Sequence, residues 1–326
     1  MKRVASRVLG LSSEARSDHE WVFVGKPAQL DIPEVSVVRR RQHCPNISVT
    51  TLPRAASFMG PCPTMGVFSH CDNESTFESG LTSWAQTSPG PENEVKAAIN
   101  LIRSAEKFHS SSLKINQLKL RSLPDCLEQL KALETLDVSQ NCILNLPAKL
   151  PPNLRNLYAN SNALTQLPVL PGSLVDLNVN LNWLSSLPEN LPRTLVELFA
   201  NQNALRSLPN DLPSGLKHLS VNGNFLVELP TNLPIGLEDM AINSNLLTSI
   251  PENLPPRLGC LGVNSNLLVT LPEKLPKNLK YIWIYGNKIT HLPSDLPASI
   301  IDIRMNFFAG LSLSNEVRQR NIVRLS

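Results

Sequence analysis

One frame, Leu-x-x-Leu-x-Val-x-x-Asn-x-Leu-x-x-Leu-Pro-x-x-Leu-Pro-x-x, recurs through the second half of this 326-residue chain and constrains its fold more than any other feature. The frame opens at Leu133, Leu154, Leu174, Leu195, Leu216, Leu237, Leu258 and Leu279, so the units start 21 residues apart apart from a single step of 20. A degenerate unit from Leu113 precedes them. A degenerate closing unit is read from Ile300, with Phe308 where the Asn falls elsewhere. A unit this short cannot bury its apolar face alone. Stacked on copies of itself it can, which predicts a solenoid stabilised by nearest-neighbour contacts and needing protection at both ends.

The letters of one unit set its shape. Leu, Leu and Val at positions one, four and six, as in Leu216, Leu219 and Val221, describe a short strand whose last two apolar residues alternate with polar neighbours. Strands from successive units pair in parallel about 4.8 Å apart and build one long sheet. The return path carries two prolines within five residues, as at Pro230 and Pro234. Each would remove a helix donor and clash with the turn before it, so the convex side is predicted to be extended or polyproline-like.

Position nine is Asn in every full unit: Asn141, Asn162, Asn182, Asn203, Asn224, Asn245, Asn266 and Asn287. An inward-facing amide at this bend has donors and an acceptor for the backbone of its own and the adjacent turn, so this column reads as structural. Positions three, five and seven alternate with the buried leucines and should face the concave side. Position seven forms a second Asn column, assigned here mainly to hydrogen bonding along the sheet. At position five, Ser220, Ala241 and Gly262 suggest a trough bounded by Phe199 and Trp283. Tyr281, Trp283 and Tyr285 form an aromatic cluster suited to anchoring an interface, with Phe199 and Tyr158 further along the sheet. Asp176, Glu197 and Asp239 at position three make an acidic edge suited to a basic segment of a partner.

Before the array, residues 1–76 mix Pro, Ser, Gly and Arg without sustained periodicity, as a flexible region does. Residues 77–112 read as a helical cap. Phe77, Leu81 and Trp84 fall at helical spacing, and Pro91 with Glu92 and Glu94 opens a second helix whose Val95, Ile99, Ile102 and Ala105 share a face. Repeats then occupy 113–299, and a capping unit 300–326.

Several function classes are disfavoured. A net charge of +3 with only the short run Arg39 to Arg41 provides no basic stripe for nucleic acid. No apolar stretch reaches the length of a membrane span, and Val8 to Leu11 is too short for a secretory signal. The cysteines, Cys44, Cys62, Cys71, Cys126, Cys142 and Cys260, lack paired spacing, and His43 and His70 beside two of them match no zinc motif. No phosphate loop or nucleophile motif is present, so neither a cofactor nor an enzymatic activity is expected.

The doubled Leu-Pro unit resembles the bacterial type of leucine-rich repeat. Trp84 to Pro124, with Glu92-Asn93-Glu94 leading into Leu118-Lys119-Leu120-Arg121-Ser122-Leu123-Pro124, resembles the helical cap and first repeat of the IpaH, SspH, SlrP and YopM group. The resemblance covers about 77–326 and implies a leucine-rich-repeat solenoid with its parallel sheet on the concave face. It also implies an effector exported by a type III secretion system into the host cytoplasm, with the nucleus as a further destination, and binding a host protein there. The export signal would lie in the first few tens of residues. Many members carry a ubiquitin-ligase domain after the repeats, with a Cys-x-Asp motif. This chain departs from them: none of its cysteines has Asp two residues later, Cys126-Leu127-Glu128 being nearest, and only the closing unit follows the last full repeat. A non-catalytic scaffold or decoy is therefore the leading expectation. The alternatives are the substrate-recognition part of a ligase and a bacterial scaffold that is never exported.

Overall fold

The computed structural model describes residues 73–88, 90–297, 300–307 and 322–324. The flexible segment and export signal expected over 1–76 fall almost wholly outside the described residues, as do His43, His70, Cys44, Cys62, Cys71 and Phe308.

Three-residue strands follow one another at the repeat period: β1 (Ser112–Lys114), β2 (Thr135–Asp137), β3 (Asn156–Tyr158), β4 (Asp176–Asn178), β5 (Glu197–Phe199), β6 (His218–Ser220), β7 (Asp239–Ala241), β8 (Cys260–Gly262), β9 (Tyr281–Trp283), β10 (Ile300–Asp302) and β11 (Ile322–Arg324). They pair in chain order into one parallel sheet, and position four stacks on position four throughout, as in Leu198 on Leu219 and Leu219 on Met240. That register is dictated by burial. Leu136, Leu157, Leu177, Leu198, Leu219, Met240, Leu261 and Ile282 are all fully buried, and a slip of one residue would turn the column out to solvent.

Among the described residues the return paths contain no α-helix, only a 3₁₀ turn at Asp125–Gln129 before the first full unit. The prolines have a positive role as well. The leading leucine of a unit donates its N–H to the carbonyl of the second proline three residues earlier, as Leu174 does to Pro171 at 3.1 Å and Leu216 to Pro213 at 3.0 Å. A proline has no donor to waste at that position, and its fixed φ prepares the turn.

Position eight, silent in the sequence, is a left-handed turn in every full unit: Gln140, Ser161, Leu181, Gln202, Gly223, Ser244, Ser265 and Gly286 all have φ between 51° and 67°. This turn reverses the chain out of the sheet so that the following Asn points inward. Its oxygen accepts an N–H of the preceding unit and its NH₂ group bonds carbonyls of both units. Asn224 accepts from Leu205 N at 3.0 Å and donates to the carbonyls of Ala200 and Val221, each at 3.0 Å.

The closing unit differs from the reading that began it at Ile300. Ile301 pairs with Ile282 and is therefore at position four, Met305 with φ 52° is at position eight, and Asn306 fills the ladder. Asn306 accepts from Ile289 N at 3.1 Å and donates to Ile284 O at 2.9 Å, so the column continues at 306 and is not interrupted by Phe308. The unit opening at Leu279 is therefore 19 residues long, two short of the 21-residue period, and the closing unit starts two residues early. Arg304 consequently moves from position five to position seven.

At the other end, α1 (Asn73–Thr87) and α2 (Glu92–Lys107) cover the first apolar layer, α1 against the 3₁₀ turn and α2 against β1. Phe77, Leu81, Trp84, Val95, Ile99, Ile102 and Ala105 are buried as their spacing predicts. Trp84 Nε1 donates to Ser122 Oγ at 3.0 Å, which satisfies the polar edge of an otherwise apolar contact.

Candidate binding face

The concave face is built from positions three, five and seven of each strand. Their backbone hydrogen bonding explains the second Asn column. The N–H groups of positions six and eight donate to the following unit, as Val221 does to Ala241 O and Gly223 to Asn243 O. From Asn201 to Tyr285 the position-seven N–H instead faces the preceding unit, whose position-seven amide oxygen accepts it, whereas Ser139, Asn180 and Arg304 donate to the position-five side chain of their own unit. Asn201 N bonds Asn180 Oδ1 at 2.6 Å, Asn222 N bonds Asn201 Oδ1 at 2.7 Å, and Asn243 N bonds Asn222 Oδ1 at 2.7 Å. Asn264 N and Tyr285 N continue the chain at 2.8 and 2.9 Å.

This ladder removes the expected trough. Ser220 and Ala241 are fully buried, and a Cβ placed on Gly262 would meet the amide of Asn243 at 3.1 Å. Asparagines of the ladder lie against Ser220 and Gly262, where a larger side chain would collide with them. Ser220 takes part directly, its Oγ donating to Asn201 Oδ1 at 2.7 Å. Phe199, expected to bound the trough as an exposed anchor, is 2% exposed and packs into the face.

The acidic edge is also changed by internal partners. Asp176 is buried and accepts a hydrogen bond from Tyr158 Oη at 2.9 Å, so neither group is a free binding handle. Asp239 Oδ2 lies 2.8 Å from His218 Nδ1. Burial pushes the Asp239 carboxyl upward, but hydrogen bonds from His218 and from the Cys260 thiol outweigh it and hold the group below its ordinary range. Glu197 is half-buried beside His218 in the sheet register.

The C-terminal aromatic group keeps an accessible surface. Tyr281 is 38% exposed and stacks on Trp283 with ring centroids 5.4 Å apart and planes 5° from parallel. The half-buried Tyr285 has the Arg304 guanidinium 5.5 Å from its ring centroid, and Arg304 is bound to Asp302 at 2.7 Å. Sequence reasoning located these tyrosines and the tryptophan but counted Arg304 at position five and missed Asp302, which takes that position because the unit opening at Leu279 is short.

Nucleophile chemistry is poorly served by Cys126 and Cys260, two of the three described cysteines. Burial pushes the Cys126 thiol up to about 11, and burial with the neighbouring Asp239 carboxylate pushes Cys260 higher still. Among the described residues no group of three His, Cys, Asp or Glu side chains is placed to hold a metal ion, and no helix is long and apolar enough to cross a membrane.

No protein-family profile matches the chain. Among solved structures it is similar to YopM, a leucine-rich effector protein from Yersinia pestis, at 30% identity over 74% of each chain with a TM-score of 0.61. The leucine-rich-repeat domain of a Shigella effector matches at 28% identity and TM-score 0.52, over 77% of this chain and 97% of that one. A leucine-rich-repeat protein of Leptospira interrogans matches at 26% identity and TM-score 0.57, over 66% and 60%. Lumican from Rattus norvegicus is 45% identical over 56 residues, a stretch of 17% of either chain. With 30% identity to YopM over 74% of each chain and its own array of repeat-spaced strands in one parallel sheet, the chain belongs to the leucine-rich-repeat proteins.

Proposed function

We propose that this protein is a bacterial effector, exported by a type III route, that binds a host protein through the concave face of its repeats and acts as a non-catalytic scaffold or decoy. One observation carries the binding site: the stacked Tyr281 and Trp283 form a flat aromatic surface with one ring well exposed, on a face otherwise paved by hydrogen-bonded asparagines. Rigid aromatic surface in a polar surround is a common energetic centre of protein interfaces. The effector part of the reading rests on the likeness to YopM and to the Shigella effector domain. The non-catalytic part draws support from Cys126 and Cys260, whose raised thiols are poor nucleophiles.

Affinity capture from eukaryotic cell lysate tests the site. Trp283→Ala combined with Tyr281→Ala should lose the partner that wild type retains, with an unchanged thermal melt. Retained capture would remove the concave aromatics from the reading. Deleting residues 1–30 should abolish translocation of a reporter fusion; a fusion that still translocates counts against an export signal there. Formation of a ubiquitin thioester on any cysteine would exclude the non-catalytic role.

A further inference from the structure

Beyond the left-handed turn, positions ten and twelve of each unit lie on the outer flank, to either side of the fully buried position eleven. Position ten is apolar in each of the six units opening at Leu154 through Leu258, and position twelve in two of them. Position ten holds Trp183, Phe225 and Leu246, which are 56%, 42% and 43% exposed, with the half-buried Leu267 after them. Position twelve adds Val227 and Val269 at 55% and 49%. The column is continuous because each position-ten N–H donates to the position-eleven carbonyl of the preceding unit, as in Trp183 to Leu164 and Phe225 to Leu205, both at 2.8 Å. At about 4.8 Å per unit, Trp183 to Leu267 spans roughly 20 Å.

Charge is scarce along this flank. Positions ten, twelve and thirteen of the six units opening at Leu154 through Leu258 contain only Arg206 and Glu228, in a chain that is 17% charged. Loss of charge around exposed aromatic and aliphatic residues is the composition of an interface centre. The exposed apolar area is on the order of 500 Å² per copy, so joining two copies would remove about 1,000 Å², near the lower bound for a specific association.

The residues themselves select a second copy as the occupant. The exposed Arg206 and Glu228 belong to neighbouring units, those opening at Leu195 and Leu216. A two-fold axis between these units, perpendicular to the stack, brings Arg206, at position twelve, within one position along the flank of Glu228, at position thirteen, of the second copy, twice over. The same axis sets Ala204 opposite Phe225, Ala163 opposite Leu267 and Trp183 opposite Leu246. A small residue then faces a large one in two of these pairs, two apolar side chains meet in the third, and opposite charges come together, so the flank is complementary to itself as an isologous interface is. We infer that this flank is the interface of an antiparallel, two-fold symmetric dimer of the chain, with its axis between the units opening at Leu195 and Leu216.

Sedimentation velocity on the full chain at micromolar concentration tests the inference. Wild type should sediment as a dimer and Trp183→Arg as a monomer. Arg206→Glu should weaken self-association by at least about tenfold, because two like-charged pairs replace two opposite ones, and adding Glu228→Arg should restore it. The altered side chains are exposed, so the circular dichroism melts should superimpose. The charge series stands independently if Trp183→Arg fails to fold. A wild type that is monomeric at about 100 µM overturns the dimer; a dimer insensitive to Arg206→Glu, or a double variant that stays dissociated, overturns the axis.

Discussion

At the scale of single residues, two asparagine columns perform different tasks, and their energetic weights should differ accordingly. Asn224 is buried and bonded through both ends of its amide to two turns, so Asn224→Ala removes the side-chain partner of Leu205 N and of Ala200 O where water does not reach, and leaves Val221 O with Asn245 Nδ2. The expected cost is about 1–3 kcal/mol. Asn222 accepts from both the N and the Nδ2 of Asn243 but is only half-buried, so water can replace it and Asn222→Ala should cost about 1 kcal/mol or less. Urea denaturation of the two variants checks the order; equal midpoints would show that burial does not separate the columns. Asp239 supplies a pH dependence. Its folded pKa lies below the ordinary 3.8, so the native state binds its proton more weakly than the unfolded chain. The resulting stabilisation is complete above the ordinary value and is lost as pH falls through the folded one. Asp239→Asn should therefore be less stable than wild type at pH 7 and should lose less of its stability between pH 5 and pH 2. A variant whose denaturation midpoint falls as steeply as wild type over that interval would show that His218 and Cys260 do not hold the carboxylate in this way.

Elements were legible in the sequence to the extent that burial restricts the letters. Positions one, four, six, nine and eleven accept aliphatics or Asn and little else, so the strands, the proline-backed return and the first ladder follow from spacing. Position eight was not legible, because the left-handed conformation recurs on Gln, Ser, Leu and Gly alike and is imposed by the turn between sheet and Asn. Phe199 was misplaced for a related reason: a position-five side chain is exposed or covered according to the neighbouring units, which one unit's letters do not reveal. In the closing unit, counting forward by 21 overrode the local signal Ile301-Asp302-Ile303-Arg304-Met305-Asn306, which repeats the Leu-x-Val-x-x-Asn core two residues earlier than expected. That register is testable. Asn306→Ala should unpair Ile289 N and the carbonyl of Ile303 and leave Ile284 O with Asn287 Nδ2 alone, lowering stability by about 1–2 kcal/mol, with increased hydrogen exchange concentrated after Leu279. Unchanged exchange there would mean that the last ladder step is not formed.

For the molecule as a whole, the decisive property is that the units from Leu195 to Leu258 make the same ladder contacts forward as they receive from behind. Both ladders run between corresponding positions, so a unit is exchangeable provided the period is kept. Deleting the 21 residues 216–236 joins Gly215 to Leu237 and brings together groups that the intact chain holds one unit apart. Asn201 Oδ1 then faces Asn243 N, Asn245 Oδ1 faces Leu205 N, and Leu198 stacks on Met240, each a repetition of a pairing already present. What is lost is one unit's burial and one interface, and a nearest-neighbour array loses stability in that proportion while remaining cooperative. The shortened chain should give a single thermal transition a few degrees below wild type with its β-type circular dichroism retained. Removing only residues 216–225 should not, because ten residues cannot return position four to position four: the leucine columns would turn outward and both asparagine series would face the wrong backbone groups. Loss of cooperative unfolding in both deletions would show that contacts beyond the adjacent unit hold the array. A cooperative transition in the 21-residue deletion alone would identify the repeat period, with its two ladders, as the unit of stability.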